Sequence, residues 1–157
     1  GEALKSAAVV TGVLSPIIAF SILLGETLAI LQVPTNLVTF FLDLPVGYFG
    51  SVALIMLSLL ILGFILEPIA AILVIMPILL PIGVELGFDP IHFGVFVVCT
   101  LAVGFITPPV GINLFAASVV SDEPFINIAV KVIPLFFTLL AAIVIIVMFP
   151  GIVLWFR

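Results

Sequence analysis

The 157 residues are 66% hydrophobic and 7% charged, with a mean hydropathy of +1.68, whereas a soluble domain is about half apolar and about 25% charged. This composition belongs in a lipid bilayer. Three basic residues among eight acidic ones form no basic patch, which excludes nucleic acid as a partner, and the single cysteine, Cys99, cannot close an internal disulfide.

The chain opens on Gly1-Glu2-Ala3-Leu4-Lys5, with neither Met nor a secretory signal pattern, as expected for part of a longer protein. The apolar stretch from Ala7 to Leu31 is long enough to span a membrane, with Pro16 placed to kink it and Glu26 near its far end. A connector follows, carrying Pro34, Asn36, Asp43 and Pro45. Its Leu37, Phe40, Phe41 and Leu44 recur at helical spacing and predict a short interfacial helix.

Residues 46–82 contain one charge, Glu67, within the break Gly63-Phe64-Ile65-Leu66-Glu67-Pro68. The segment is too long for one crossing and short for two. It is read as a re-entrant hairpin that turns at 63–68, with Pro77 and Pro81 bending or ending the exit arm. Gly83 to Pro90 reads as a surface loop in which Asp89-Pro90 starts the next helix. Residues 91–120 form a spanning element interrupted at Gly104-Phe105-Ile106-Thr107-Pro108-Pro109-Val110-Gly111. After a loop at 121–124, where Ser121 or Asp122 is placed to cap the next helix, Ile128 to Leu154 is the last spanning helix, closed by Trp155 and Arg157. The fold class is therefore all-α integral membrane, divided into a first helix and connector (1–45), a hairpin with a broken helix (46–120) and a last helix (121–157). This topology puts Lys5 and Lys131 on one side, read as cytoplasmic, and Asp43, Glu85, Asp89 and Arg157 on the other.

The two breaks carry the chemistry. Non-helical backbone at membrane depth persists only where it is buried in protein or lines a cavity. A broken helix turns the carbonyls of its first half and the N–H groups of its second half toward the gap. The former suit Na+ and the latter a carboxylate. The candidate cation ligands are Gly63 and Glu67 in the first break, and Gly104, Phe105, Ile106 and Thr107 in the second. Pro108, Pro109, Gly111 and Asn113 form the candidate substrate side: the prolines enforce the break, Gly111 restarts the helix, and Asn113 supplies an amide one turn on. A lone proline in a membrane helix more often kinks than binds, but Thr-Pro-Pro-Val-Gly removes more than one turn. His92, beside Asp89-Pro90, suits capping or packing better than a proton relay. The isolated serines and the single histidine make no catalytic pair, so no enzyme and no organic cofactor are expected, and no cluster has transition-metal spacing.

Read in order, Gly63-x-x-x-Glu67-Pro68-x-Ala70, Pro77-Ile78-Leu79-Leu80-Pro81, Gly87-Phe88-Asp89-Pro90-Ile91-His92-Phe93-Gly94 and Gly104-x-x-Thr107-Pro108-Pro109-Val110-Gly111-x-Asn113-Leu114-Phe115 resemble the large membrane subunit of tripartite ATP-independent periplasmic (TRAP) transporters, across about residues 5–155. At Glu67 the family often has Asp, so there the charge is kept on a longer arm.

The resemblance implies a bacterial or archaeal cytoplasmic membrane protein built as one of two inverted repeats, here the C-terminal one. It implies import of an organic acid anion (dicarboxylate, keto acid or sialic acid) coupled to Na+ by an elevator motion. The implied partners are a periplasmic substrate-binding protein, a small membrane subunit, the remaining N-terminal half of the large subunit and the lipid bilayer. Within that scheme the first and last helices belong wholly or partly to the scaffold, and 46–120 to half of the moving domain. The tip at 63–68 faces the break at 104–111, with one Na+ between them. Two other readings stay open: a related Na+-coupled dicarboxylate or ion carrier that needs no binding protein, and an uncoupled channel.

Overall fold

A computed structural model of the chain describes residues 2–33, 36, 37, 39, 40, 45–66, 68–108 and 111–156. These residues form α1 (Glu2–Ile30), α2 (Gly47–Ile65), α3 (Pro68–Glu85), α4 (Pro90–Phe105), α5 (Ile112–Ser121), α6 (Phe125–Met148) and the short α7 (Gly151–Leu154). Three of them, α2, α3 and α6, are long and apolar enough to cross a membrane. The chain is an all-α membrane protein, as its composition requires.

The centre is α4. Phe93, Phe96, Val97, Thr100, Leu101 and Gly104 recur at helical spacing and are all buried. Against them pack Ile55, Leu59 and Leu60 of α2, Ala71 and Ile82 of α3, and Ile143 of α6. Thr100 is fully buried but satisfied, its hydroxyl donating to the Phe96 carbonyl at 2.7 Å. Much of α6 instead turns large apolar side chains outward, among them Ile126, Val130 and Phe137. In lipid such exposure carries no hydrophobic penalty.

The direction of each helix follows from side-chain contacts. Tyr48, at the start of α2, stacks on Phe88, just past the end of α3, with ring centroids 5.9 Å apart. The two arms of the hairpin therefore open at the same end, where α4 also begins. On α6, Ile146 meets His92 of α4, whereas Phe125 meets Phe115 of α5. Thus α4 and α5 together run antiparallel to α6. Gly25 lies against Pro77, so α1 runs beside α3 in the same sense, with Ile18 and Ile72 sharing a groove further down. Lys5 and Lys131 consequently lie toward one end, and Glu85 and Asp89 at the other, as the sequence predicts.

Several boundaries differ from the sequence reading. The expected loop at 83–90 is shorter, because α3 runs to Glu85. Its end is a Schellman motif, in which Phe88 N donates to Gly83 O at 3.0 Å, Gly87 N donates to Val84 O at 2.9 Å, and Gly87 takes φ of +90°. Gly83 falls in the last helical turn of α3, and it is glycine there because the Phe93 ring lies only 2.5 Å from where a Cβ would be. Neither Pro77 nor Pro81 ends α3. The last helix starts earlier, at Phe125, and stops at Met148, because Pro150 lacks the N–H that would continue it. Asp122 does not cap α6. It ends α5 in the left-handed region, at φ of +55°, and Asn127 donates to Glu123 Oε2 at 3.2 Å instead. In the connector, residues 36, 37, 39 and 40 are helical and Leu37 packs against the core. Pro34, Phe41, Asp43 and Leu44 lie outside the described residues, as does Arg157.

Candidate functional site

The two breaks meet. The ends of α2 and α4 converge at Gly63 and Gly104, both buried. A Cβ on Gly63 would stand 2.6 Å from the Leu101 carbonyl oxygen and 3.1 Å from the Gly104 Cα, and one on Gly104 would stand 2.8 Å from the Gly63 Cα. Only glycine at both positions lets the backbones come this close. Nothing ion-sized fits between the two Cα atoms, so α2 and α4 are in direct backbone contact there.

The carbonyls beyond the crossing are unequal. Val103 O accepts from Ile106 N at 3.3 Å and from the Thr107 hydroxyl at 2.6 Å. Gly104 O accepts from Thr107 N at 2.9 Å. Phe105 O has no such partner within its own helix, because the donors three and four residues on would be Pro108 and Pro109, and neither carries an N–H. The double proline therefore frees one particular oxygen. Thr107 gives its proton to Val103, which leaves its oxygen lone pairs for another partner. Phe105, Ile106, Thr107 and Pro108 are half-buried, an intermediate setting between core and surface.

The second half-helix begins at Gly111, which is buried at φ of +34° and ψ of 76°. A Cβ there would meet the Leu114 side chain at 2.9 Å and the Thr107 carbonyl at 3.1 Å. The close backbone at Gly111 is thus that of its own loop. Asn113 sits in the first turn of α5, exposed, where no side chain caps the helix start and the first N–H groups carry partial positive charge. Of the residues singled out in the sequence, Gly63 and Gly104 meet at the crossing, Phe105, Ile106, Thr107 and Pro108 follow it directly along the chain, and Gly111 closes back on the Thr107 carbonyl, whereas Asn113 lies on the exposed first turn of α5. Glu67 and Pro109 lie outside the described residues. The direct contact of Gly63 with Gly104 and the singling out of Phe105 O go beyond the sequence reading, although the Pro-Pro spacing already implied the second. His92 is buried and packed. Among the described grooves, one of about 380 Å³ lies between α1 and α3, lined by Ile18, Ser21, Ile72, Met76 and Pro77, and is apolar.

Comparison with known proteins bears on this arrangement. Residues 1–152 match the family described as the tripartite ATP-independent periplasmic transporter, DctM component. The chain is 38% identical over 140 residues to the isethionate TRAP transporter permease protein DctMQ of Oleidesulfovibrio alaskensis, covering 89% of this chain and 22% of that protein. It is 35% identical over 136 residues to the C4-dicarboxylate TRAP transporter large permease protein DctM of Pseudomonas aeruginosa, covering 87% and 32%. It is 34% identical over 149 residues to the sialic acid TRAP transporter large permease protein SiaM of Vibrio cholerae, covering 95% and 35%. The chain thus spans between 22% and 35% of the length of these relatives, all of which are named as permeases rather than enzymes. A match over nearly the whole chain, on a membrane fold whose two interruptions meet at paired glycines, shows that this protein belongs to the DctM family of TRAP transporter membrane components.

Proposed function

We propose that this chain is half of the moving core of a TRAP-type importer of an organic acid anion. In this reading it couples uptake to Na+ and works with a periplasmic binding protein, a small membrane subunit and the rest of the large subunit in the cytoplasmic membrane. The observation that carries the reading is the convergence of the α2 and α4 C-termini at Gly63 and Gly104. The partial negative charge of both helix ends falls in one place, beside a carbonyl (Phe105) with no local donor and a hydroxyl (Thr107) whose proton is already used. An oxygen-only, neutral set of this kind suits a hard monovalent cation. The candidate ligands are Phe105 O, Ile106 O and Thr107 Oγ1, with Glu67 as a further carboxylate. Gly63 and Gly104 act mainly by letting the helices close.

Helix lengths support a re-entrant hairpin. The 24 residues of α6 extend about 36 Å. On α4, Gly104 lies about 21 Å from the helix start, and the 10 residues of α5 carry the chain about 15 Å further. The tip at Gly63 touches Gly104 and therefore stops short of the far end of α6. With no Lys or Arg in either break, an anion would rest on the uncapped start of α5, on Asn113, on bound Na+ and on groups of the other half. The relatives are named for isethionate, C4-dicarboxylates and sialic acid, and these share an anionic group. The test is uptake of such acids into proteoliposomes that hold the complete membrane subunits, with and without binding protein and a Na+ gradient. Uptake that ignores Na+ would overturn the coupling. Uptake that ignores the binding protein would favour a carrier of the kind that needs none.

A further inference from the structure

His92 is 2% exposed, and its Nε2 lies 2.8 Å from the carbonyl oxygen of Ile146 on α6. A carbonyl only accepts, so Nε2 carries the proton and donates. In a continuous helix the Ile146 carbonyl would take the N–H of residue 150, but that residue is proline. The N–H of Phe149, one position earlier, is already given to Ile145 O at 3.0 Å. Pro150 therefore leaves the Ile146 carbonyl without its helical donor, beside an imidazole that is itself buried and needs an acceptor.

We infer that His92 is a positioning residue that supplies the donor Pro150 removes, so that the two form one device pinning the start of α4 to the end of α6. The surroundings hold the ring in place. The Phe88 ring lies against that of His92, with centroids 5.2 Å apart. The Asp89 cap fixes the turn from which His92 projects, receiving Ile91 N at 2.9 Å. Ile143, buried one turn before Ile146, anchors the facing helix. Because the break at 105–111 hangs from the other end of α4, this bond sets the position of Thr107 along α6. None of this depends on the cargo or the coupling ion.

The experiment is a thermal-unfolding comparison of the complete large subunit in detergent. His92→Phe keeps a ring and loses the donor, and the midpoint should fall by on the order of 2 °C. His92→Gln keeps an amide N–H and should recover most of that loss. Pro150→Ala returns a backbone N–H to the Ile146 carbonyl, so adding His92→Phe to it should lower the midpoint little. A His92→Phe protein as stable as the parent would overturn the inference, as would an equal loss with and without Pro150→Ala. If His92→Phe prevents accumulation in the membrane, recovery of folded protein in the double variant supports the device, and no recovery refutes it. Nitrogen NMR of the imidazole should report Nε2 protonated; a proton on Nδ1 alone would refute it.

Discussion

Gly63 and Gly104 touch through their main chains, each occupying the space where a side chain on the other would have to be. The contact joins the tip of the α2–α3 hairpin to the end of α4, one residue before the carbonyl that the double proline leaves without a local donor. Alanine at either position would drive a methyl into backbone rather than into a flexible side chain, and we expect a loss of about 1–3 kcal/mol for each. Once one methyl has spread the helices the second meets less resistance, so the double variant should lose less than the sum. Denaturant unfolding of the complete subunit in micelles, comparing both single variants with the double, checks this. Strict additivity would mean the two glycines are not one contact.

Thr107 donates to Val103 O at 2.6 Å and keeps its lone pairs. Thr107→Val preserves shape and removes the oxygen. It should raise the Na+ concentration for half-maximal uptake about tenfold, near 1.4 kcal/mol, while leaving the protein inserted. Thr107→Ser should stay close to the parent. Val103 O keeps a bond from Ile106 N in either case, so the helix end survives. A valine variant with unchanged Na+ dependence would remove Thr107 from the ion site.

Gly83 and Gly94 make a matched pair. A Cβ on Gly83 would lie 2.5 Å from the ring of the fully buried Phe93, whereas one on Gly94 would meet nothing within 4 Å. Gly83→Ala should destabilise by about 1–3 kcal/mol. Gly94→Ala should be neutral or stabilising by up to about 1 kcal/mol, through helix propensity. Thermal midpoints of the two variants should move in opposite directions or differ by several degrees. A loss at Gly94 would instead place a further segment of the complete protein against that face.

Asp89 receives the N–H groups of Ile91 and His92, at 2.9 and 3.4 Å. Replacing it with Ala removes the cap and should cost about 0.5–2 kcal/mol, with Asn or Ser recovering most of it. Equal stability of Asp89→Ala and Asp89→Asn, measured by denaturant midpoint, would show that the cap contributes nothing. Because α4 is the central helix, fraying at its start should also quicken amide exchange at Ile91 and His92.

Much of this was readable from residue order. Asp89-Pro90 announced the start of α4, and Thr-Pro-Pro-Val-Gly announced its interruption, because proline and glycine act locally whatever surrounds them. The ends of α3 and α6 were misjudged for a different reason. Gly83 looks like a loop residue until Phe93 is seen filling the space above it. Residues 128–154 read as one helix until Pro150 is seen to end it and the Ile146 carbonyl to turn to a histidine on another helix.

A membrane setting and the sites of both interruptions follow from composition and from the missing N–H groups of proline, which act wherever the residue falls. Which glycine meets which, which freed carbonyl finds a donor and which stays open are matters of long-range approach. Those depend on helices far apart along the chain being brought within a few ångströms, and that information resides in the packing of the whole rather than in any local run of residues.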